Sequence, residues 1–215
     1  MKTVAFVPIK LNSERLPRKN LLPVNGKPMC YHIVDTLLQV SAIDEVYVYC
    51  SSPEVVAHIP AGAQFLQRCE SLDGNLVKGN EIYSSFIAAV KADTYVLAHT
   101  TSPFIKGETI DHALKQMRAC GHDSAFSAKE VRTFVWYEGQ PVNFNPADVP
   151  RTQDLEPVYA ETSGFYAFNR EVFIESGRRT GTNPFIAAID EFEGIDIDTK
   201  DDYDMALALA ALRTR

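Results

Sequence analysis

The segment KLNSERLPRKN, Lys10 to Asn20, gathers the first residues able to do chemistry. Asn12 and Ser13 can donate hydrogen bonds to phosphate oxygens, Arg15 can bind them bidentately, and Lys10 and Lys19 can neutralise them. That inventory suits a triphosphate. Neither G-x-x-x-x-G-K-[ST] nor G-x-G-x-x-G occurs, so kinase, P-loop ATPase and dehydrogenase readings are set aside, and phosphates would be held by side chains and loop amides. Residues 1–28 carry six cations against the single acid Glu14 in a chain whose formal charge is -7. The overall acidity excludes a protein devoted to nucleic-acid backbones. The local excess of cations fits a small anion, with a solvated basic face as the alternative.

Near the other end, Glu191, Glu193, Asp196, Asp198, Asp201, Asp202 and Asp204 crowd together. The alternation Ile195-Asp196-Ile197-Asp198 predicts a short strand with both aspartates on one face, their Cα atoms roughly 6 to 7 Å apart. Two such carboxylates could hold Mg²⁺, which takes one or two carboxylates plus phosphate oxygens and water. The competing reading is a helix cap at Asp198 or Thr199 with Asp196 solvated. In mid-chain, LAHTTSP places His99, Thr100, Thr101 and Ser102 at a strand end, where a hydroxyl-rich ligand could be held. His99 could be a base or a donor there, or a satisfied structural histidine.

These groups need a scaffold that brings them to one rim. Thr3 to Ile9, Asp44 to Cys50, Ala63 to Leu66, Thr94 to Ala98, Asp123 to Ser127 and Phe165 to Phe168 read as strands. Met29 to Val40, Glu81 to Val90, Ile110 to Ala119, Arg170 to Ser176 and Tyr203 to Leu212 read as helices. This alternation predicts right-handed βαβ crossovers and a mostly parallel sheet flanked by helices, an α/β fold whose ligands sit at the carboxyl ends of the strands. Thr199 to Asp202 has a capping-box form. Between Lys129 and Ala160 the rhythm gives way to a hairpin turning at Glu138, Gly139 and Gln140 and then to a proline-rich stretch. We therefore expect residues 1–215 to form one domain with an inserted arm over 129–160.

Composition agrees with this frame. With 215 residues and 46% hydrophobic content the chain can bury a sizeable core. No apolar run approaches the roughly 18 residues of a membrane span, and the apolar stretch at the amino terminus is too short for a secretory signal. The expectation is a cytoplasmic protein without membrane or nucleic-acid partners. Cys30, Cys50, Cys69 and Cys120 form no C-x-x-C pair and read as buried, reduced thiols.

The strings VPIKLNSERLPRKN, LAHTTSP, PRTQDLEP with SGFYAF, and IDIDTKDDYD together resemble the acylneuraminate cytidylyltransferases, in the same order and over most of the chain. The resemblance implies a nucleotide-diphospho-sugar transferase fold, GT-A-like and Rossmann-like, and a homodimer built through the arm. It implies transfer from CTP, with Mg²⁺, to an acidic keto-sugar of the nonulosonic (sialic) type, giving a CMP-sugar and pyrophosphate for surface glycans. It places Lys10, Asn12, Ser13, Arg15, Lys19 and Asn20 on the nucleotide phosphates and Arg68 near the cytosine ring. His99, Thr101, Ser102, Arg151, Gln153 and Tyr166 fall on the sugar side, and Asp196 and Asp198 match the metal pair. Lys10, Arg15, Lys19 and Asp198 are the expected catalytic groups, and Arg151 is expected to meet the sugar carboxylate. The family usually carries arginine at position 10, lysine at 14, an acid at 75 and glutamine at 99. Kdo or another sugar as acceptor, or a noncatalytic nucleotide-binding relative, are the alternatives.

Overall fold

The computed structural model describes residues 1–213, so the last two positions of the expected domain lie outside the described residues. Among the described residues eleven strands are formed: β1 (Thr3–Ile9), β2 (Pro23–Val24), β3 (Lys27–Pro28), β4 (Glu45–Cys50), β5 (Gln64–Gln67), β6 (Thr94–Ala98), β7 (Ser124–Val131), β8 (Trp136–Tyr137), β9 (Gln140–Pro141), β10 (Val158–Asn169) and β11 (Pro184–Ile189). The α-helices are α1 (Met29–Leu38), α2 (Gly79–Ala89), α3 (Gly107–Cys120), α4 (Arg170–Ser176) and α5 (Lys200–Arg213). Seven strands make one sheet in the order β11-β7-β10-β6-β1-β4-β5, and β2-β3 and β8-β9 are separate hairpins. Every pairing in the large sheet is parallel except those of β10, which runs antiparallel to both β6 and β7.

The period-two pattern of β1 builds both faces of this sheet. Ala5, Val7 and Ile9 join Ile33, Val34 and Leu37 of α1 and Ile110 and Leu114 of α3 in one core. Val4 and Phe6 point the other way, against Tyr83, Phe86 and Ile87 of α2 and Phe173 of α4. Phe6 stacks on Phe86 with ring centroids 4.3 Å apart. From β1 the chain passes by α1 to β4 on one side of the sheet. It later enters β6 on the other side of β1, so the strand order reverses between β4 and β6 and opens a crevice there.

A third, smaller core joins the two ends of the chain. Leu16 from the cationic loop packs with Ile197, Tyr203 and Ala206 from the acidic end, together with Val24 and Met29. The Tyr203 hydroxyl donates to the Pro23 carbonyl at 2.6 Å. Helix α5 starts as its sequence predicts: Thr199 N–H donates to Asp202 Oδ2 at 2.8 Å and Asp202 N–H returns to Thr199 Oγ1 at 3.3 Å.

Several expectations need correction. Residues 195–198 form no regular secondary structure and pair with no described strand; a hydrogen bond from Ile197 N–H to the Thr101 carbonyl at 2.8 Å stands where the ladder was expected. The burial alternation survives, with Ile197 buried and Asp196 exposed. Strand β11 had no counterpart in the sequence reading. Gln140 lies in β9 rather than in the turn, where Glu138 and Gly139 both adopt positive φ. Of the cysteines, Cys30 and Cys50 are buried, but Cys69 and Cys120 are exposed. Cys69 lies just beyond the end of β5, and Cys120 ends α3.

The arm begins where β7 and β10 outrun the sheet. Val131, Glu130 and Lys129 pair with Val158, Tyr159 and Ala160. Beyond them the chain leaves to form the β8-β9 hairpin. Further along, β10 is irregular: Glu161 faces Ala128, yet Tyr166 faces Phe126, so extra β10 residues loop out between the two pairings.

Candidate functional site

The crevice between the ends of β1 and β6, the loop after β5 and the start of α2 is a cleft of about 450 Å³. Lys10, Asn12, Ser13, Arg15, Lys19 and Asn20 line it from the loop after β1, Arg68 from the loop after β5, His99 and Thr101 from the loop after β6, and Asp198 from the segment before α5. The cationic loop and the acidic end therefore meet. Asp198 accepts from Lys19 Nζ at 2.7 Å and from Arg15 Nη2 at 2.8 Å. Partial burial works against the Asp198 charge, but the Lys19 and Arg15 hydrogen bonds and charges outweigh it and hold the carboxyl below its ordinary range.

The remaining predicted residues divide. Asn20 lines the cleft but acts as a strut: its Nδ2 donates to the Lys10 carbonyl at 2.6 Å and its Oδ1 accepts from Thr100 Oγ1 at 2.5 Å. It joins the ends of β1 and β6 rather than presenting a free donor. Ser102 is buried in the turn after His99, where its N–H meets the His99 carbonyl at 3.3 Å. Asp196 is exposed and does not line the cleft. Arg151 and Gln153 are exposed on the arm, and the Arg151 side chain, 74% accessible, pairs with Asp154 at 2.7 Å. Neither reaches the cleft of its own chain. Their strings gave local sequence without the direction in which the arm leaves the sheet.

Arg68 is fully enclosed, 2% accessible. Its Nη2 donates to the Ile9 carbonyl at 2.9 Å and to Asp73 Oδ1 at 2.6 Å, and its Nη1 to the Tyr49 carbonyl at 3.3 Å. It thus ties the ends of β1 and β4 to the turn after β5, while Nε has no hydrogen-bond partner among the described residues. A buried cation held to carbonyls and one carboxylate makes a rigid cleft floor.

His99 Nδ1 lies 2.7 Å from the Ser163 carbonyl, which can only accept, so Nδ1 carries the hydrogen. Burial lowers the His99 pKa against the opposing Ser163 carbonyl and Asp196 charge, and the Arg179 and Lys19 charges lower it further. The ring is neutral, with Nε2 left as an acceptor 3.4 Å from the Tyr83 hydroxyl. Tyr166, buried, sets its ring edge-on to His99 at 6.2 Å and donates to Glu161 Oε1 at 2.5 Å. Burial, that hydrogen bond and neighbouring negative charge raise its phenol well above the ordinary range, although the Arg179 charge opposes the shift.

Sequence reasoning gave no role to Tyr83 or Arg179 and noted Asn75 and Glu14 only as departures. Lys10 Nζ donates to Asn75 Oδ1 at 2.7 Å, and Asn75 Nδ2 donates to Glu14, a chain of contacts across the mouth of the cleft. Tyr83 faces the cleft from the second turn of α2, where its spacing with Phe86 and Ile87 marks it only as core.

The fold and cleft define an α/β protein built to take a polyanionic ligand at the reversal point of a mostly parallel sheet. The chain belongs to the cytidylyltransferase family, whose family model matches residues 4–214. It is 24% identical over 214 residues to an N-acylneuraminate cytidylyltransferase of Streptococcus agalactiae, covering 94% of this chain and 52% of that protein. It is also 28% identical over 186 residues to a 3-deoxy-manno-octulosonate cytidylyltransferase of Escherichia coli, covering 80% of this chain and 74% of that protein. The chain thus spans about half the length of the first of these relatives. Among solved structures it superimposes on a CMP:2-keto-3-deoxy-manno-octonic acid synthetase complexed with CTP, with a TM-score of 0.73 at 23% identity, covering 99% of this chain and 100% of that one. At that identity the superposition speaks for the fold.

Proposed function

We propose that the chain transfers the cytidylyl group of CTP to an acidic keto-sugar of the nonulosonic type, releasing pyrophosphate, in the supply of surface glycans. The observation that carries this reading is the convergence of Arg15 and Lys19 on Asp198 in one cleft at the switch point. In-line attack of a sugar hydroxyl on the α-phosphorus crowds negative charge onto phosphate oxygens, and fixed cations are the main protein contribution to such a step. Lys10, Arg15 and Lys19 supply them. Asn12 and Ser13 orient the phosphates, and Arg68 shapes the floor for the base.

Mg²⁺ is the expected cofactor. Among the described residues no group of three or more His, Cys, Asp or Glu side chains gathers as a closed metal site. One cleft carboxylate, Asp198, with Asp196 two positions earlier, fits an ion that takes one or two carboxylates and completes its shell with phosphates and water. When bound it would neutralise phosphate charge. With Asp198 turned to the ion, Arg15 and Lys19, now paired with that carboxylate, would be available to the nucleotide.

The arm exposes Trp136 and Tyr137, 56% and 69% accessible, with Val142 and Val149. Such apolar surface on an extension fits a homodimer, in which Arg151 and Gln153 act on the partner's cleft. Four free thiols fit a cytoplasmic setting, and among the described residues no helix is long and apolar enough to cross a membrane. The second candidate acceptor is 3-deoxy-manno-octulosonate, favoured by the likeness to its cytidylyltransferase and to the CTP-bound synthetase. Purified protein with CTP and Mg²⁺, offered N-acetylneuraminate and 3-deoxy-manno-octulosonate in turn, should release pyrophosphate with one of them. Release with neither, or only with a sugar lacking a carboxylate, rejects the proposal.

A further inference from the structure

Beside His99 the structure holds a second cation, apart from the loop after β1. Arg179, in the turn between α4 and β11, lays its guanidinium 3.8 Å above the centroid of the Tyr166 ring. Its Nη2 donates to Glu161 Oε1 at 3.2 Å, and its Nη1 approaches the Tyr83 hydroxyl at 3.5 Å. Tyr83 and His99 both line the cleft. Tyr166 and Arg179 therefore pack directly against two residues of the cleft lining, Tyr166 edge-on to His99 and Arg179 against the Tyr83 hydroxyl.

Three features set Arg179 apart from a structural ion pair. Its side chain is 32% accessible and Glu161 is 46% accessible, and a pair so exposed contributes little to stability. Stacking on Tyr166 covers one face of the guanidinium and leaves its N–H edge, only partly engaged, as the surface that can meet a planar carboxylate with two parallel hydrogen bonds. Of its five N–H donors, contacts among the described residues engage two, one of them at the limit of hydrogen-bond length. Arg151, the residue expected to meet the acceptor acid, is meanwhile tied to Asp154 outside the cleft.

We propose that Arg179, seated on Tyr166 beside Tyr83 and His99, binds the carboxylate of the acceptor and so selects an acidic sugar over a neutral one. The inference rests on the cytidylyltransferase reading and assigns the acceptor half of that same cleft. Glu161, which accepts from both Tyr166 and Arg179, positions the guanidinium and gives up its hold when the acceptor's own carboxylate arrives.

The test uses the full chain, CTP and Mg²⁺, with N-acetylneuraminate, 3-deoxy-manno-octulosonate and the methyl ester of each. Arg179→Met should raise KM for the productive acid by about 30-fold, the loss of one charge-assisted contact, with KM for CTP within about two-fold of wild type. Wild type should favour the acid over its ester, and R179M should lose that preference. Arg179→Lys, which keeps the charge without the fork, should fall between them and serves if R179M does not fold. An unchanged acceptor KM, or a preference for acid over ester that survives in R179M, overturns the assignment and leaves cytidylyl transfer standing. If wild type releases no pyrophosphate with either acid, the transfer reading falls instead. Calorimetric titration of the two acids then decides: binding that R179M weakens supports the assignment, and equal binding or none overturns it.

Discussion

Lys19 and Asp198 are 179 positions apart in the chain and share a hydrogen bond of 2.7 Å. The contact rests on packing beneath it, because Leu16, three residues before Lys19, and Ile197, beside Asp198, lie in the same small core with Tyr203 of α5. Apolar residues fold the two ends together, and the charged residues next to them meet as a result. Asp198→Asn should lower kcat for pyrophosphate release by about 100-fold or more, since it removes the carboxylate from the charged centre of the cleft. The variant should keep its circular-dichroism spectrum, and CTP binding measured without Mg²⁺ should strengthen as Arg15 and Lys19 are released.

Ile197→Ala tests the packing directly. Ile197 is fully buried in that core, and truncation should cost about 2–4 kcal/mol in urea unfolding. Activity should fall as well, although Ile197 offers no group to the reaction, because Asp198 loses its placement against Arg15 and Lys19.

Glu14 puts a negative charge on the rim that must receive a triphosphate, held there by Asn75. Glu14→Lys reverses that charge and should lower KM for CTP by roughly five-fold at low ionic strength. The gain should fade in about 0.5 M salt as screening shortens the range of the interaction. Steady-state kinetics at two salt concentrations checks both parts.

His99 predicts an acid limit to stability. Its folded pKa lies below the unfolded value of about 6.5, so the unfolded chain takes up the proton first as pH falls. Stability should be level above about pH 6.5 and decline as pH falls below it. Asp198, whose carboxyl is likewise lowered, loses its contribution only as pH falls below the ordinary aspartate value near 3.9. Urea midpoints across this window should slope for wild type and flatten for His99→Gln.

Gly164 has no room for a side chain. A Cβ there would lie 2.5 Å from Ile105 Cδ1 and 2.8 Å from Ser127 Oγ. Gly164→Ala should destabilise the protein by about 1–3 kcal/mol in urea unfolding. Acceptor KM should rise too, because the Gly164 carbonyl receives the His99 N–H at 3.3 Å.

The sheet and helices were legible where periodicity was strong. The expected bounds of β1 and α4 match those formed, and the capping box placed the start of α5. Strand β11 was hidden because Pro184 opens it and its burial does not alternate cleanly, so PFIAAI carries neither a period-two nor a helical signature. At residues 195–198 the alternation correctly gave the facing of Ile197 and Asp198 but not the absence of a partner strand, which depends on where the sheet ends. Arg68 was reached only through the family resemblance, whereas the cationic loop, His99 and Asp198 were legible as cleft residues because strand ends in such sheets share one rim. Arg151 and Arg179 were not, since one depends on the path of an inserted arm and the other on a turn after a short helix. Neither path leaves a periodic trace.

The irregularity of β10 bears on which changes of chain length the protein can absorb. On the near side of it lies Glu161, on the far side Phe165 in one core and Tyr166 in the other. Losing one residue from 162–164 would send Phe165 toward the cleft and Tyr166 into the opposite layer, because facing along a strand reverses with every step. The same loss would withdraw the carbonyls of Ser163 and Gly164 that anchor His99. Insertions and deletions should therefore accumulate in the arm, where the hairpin tip can lengthen at little cost, and be purged from these three positions.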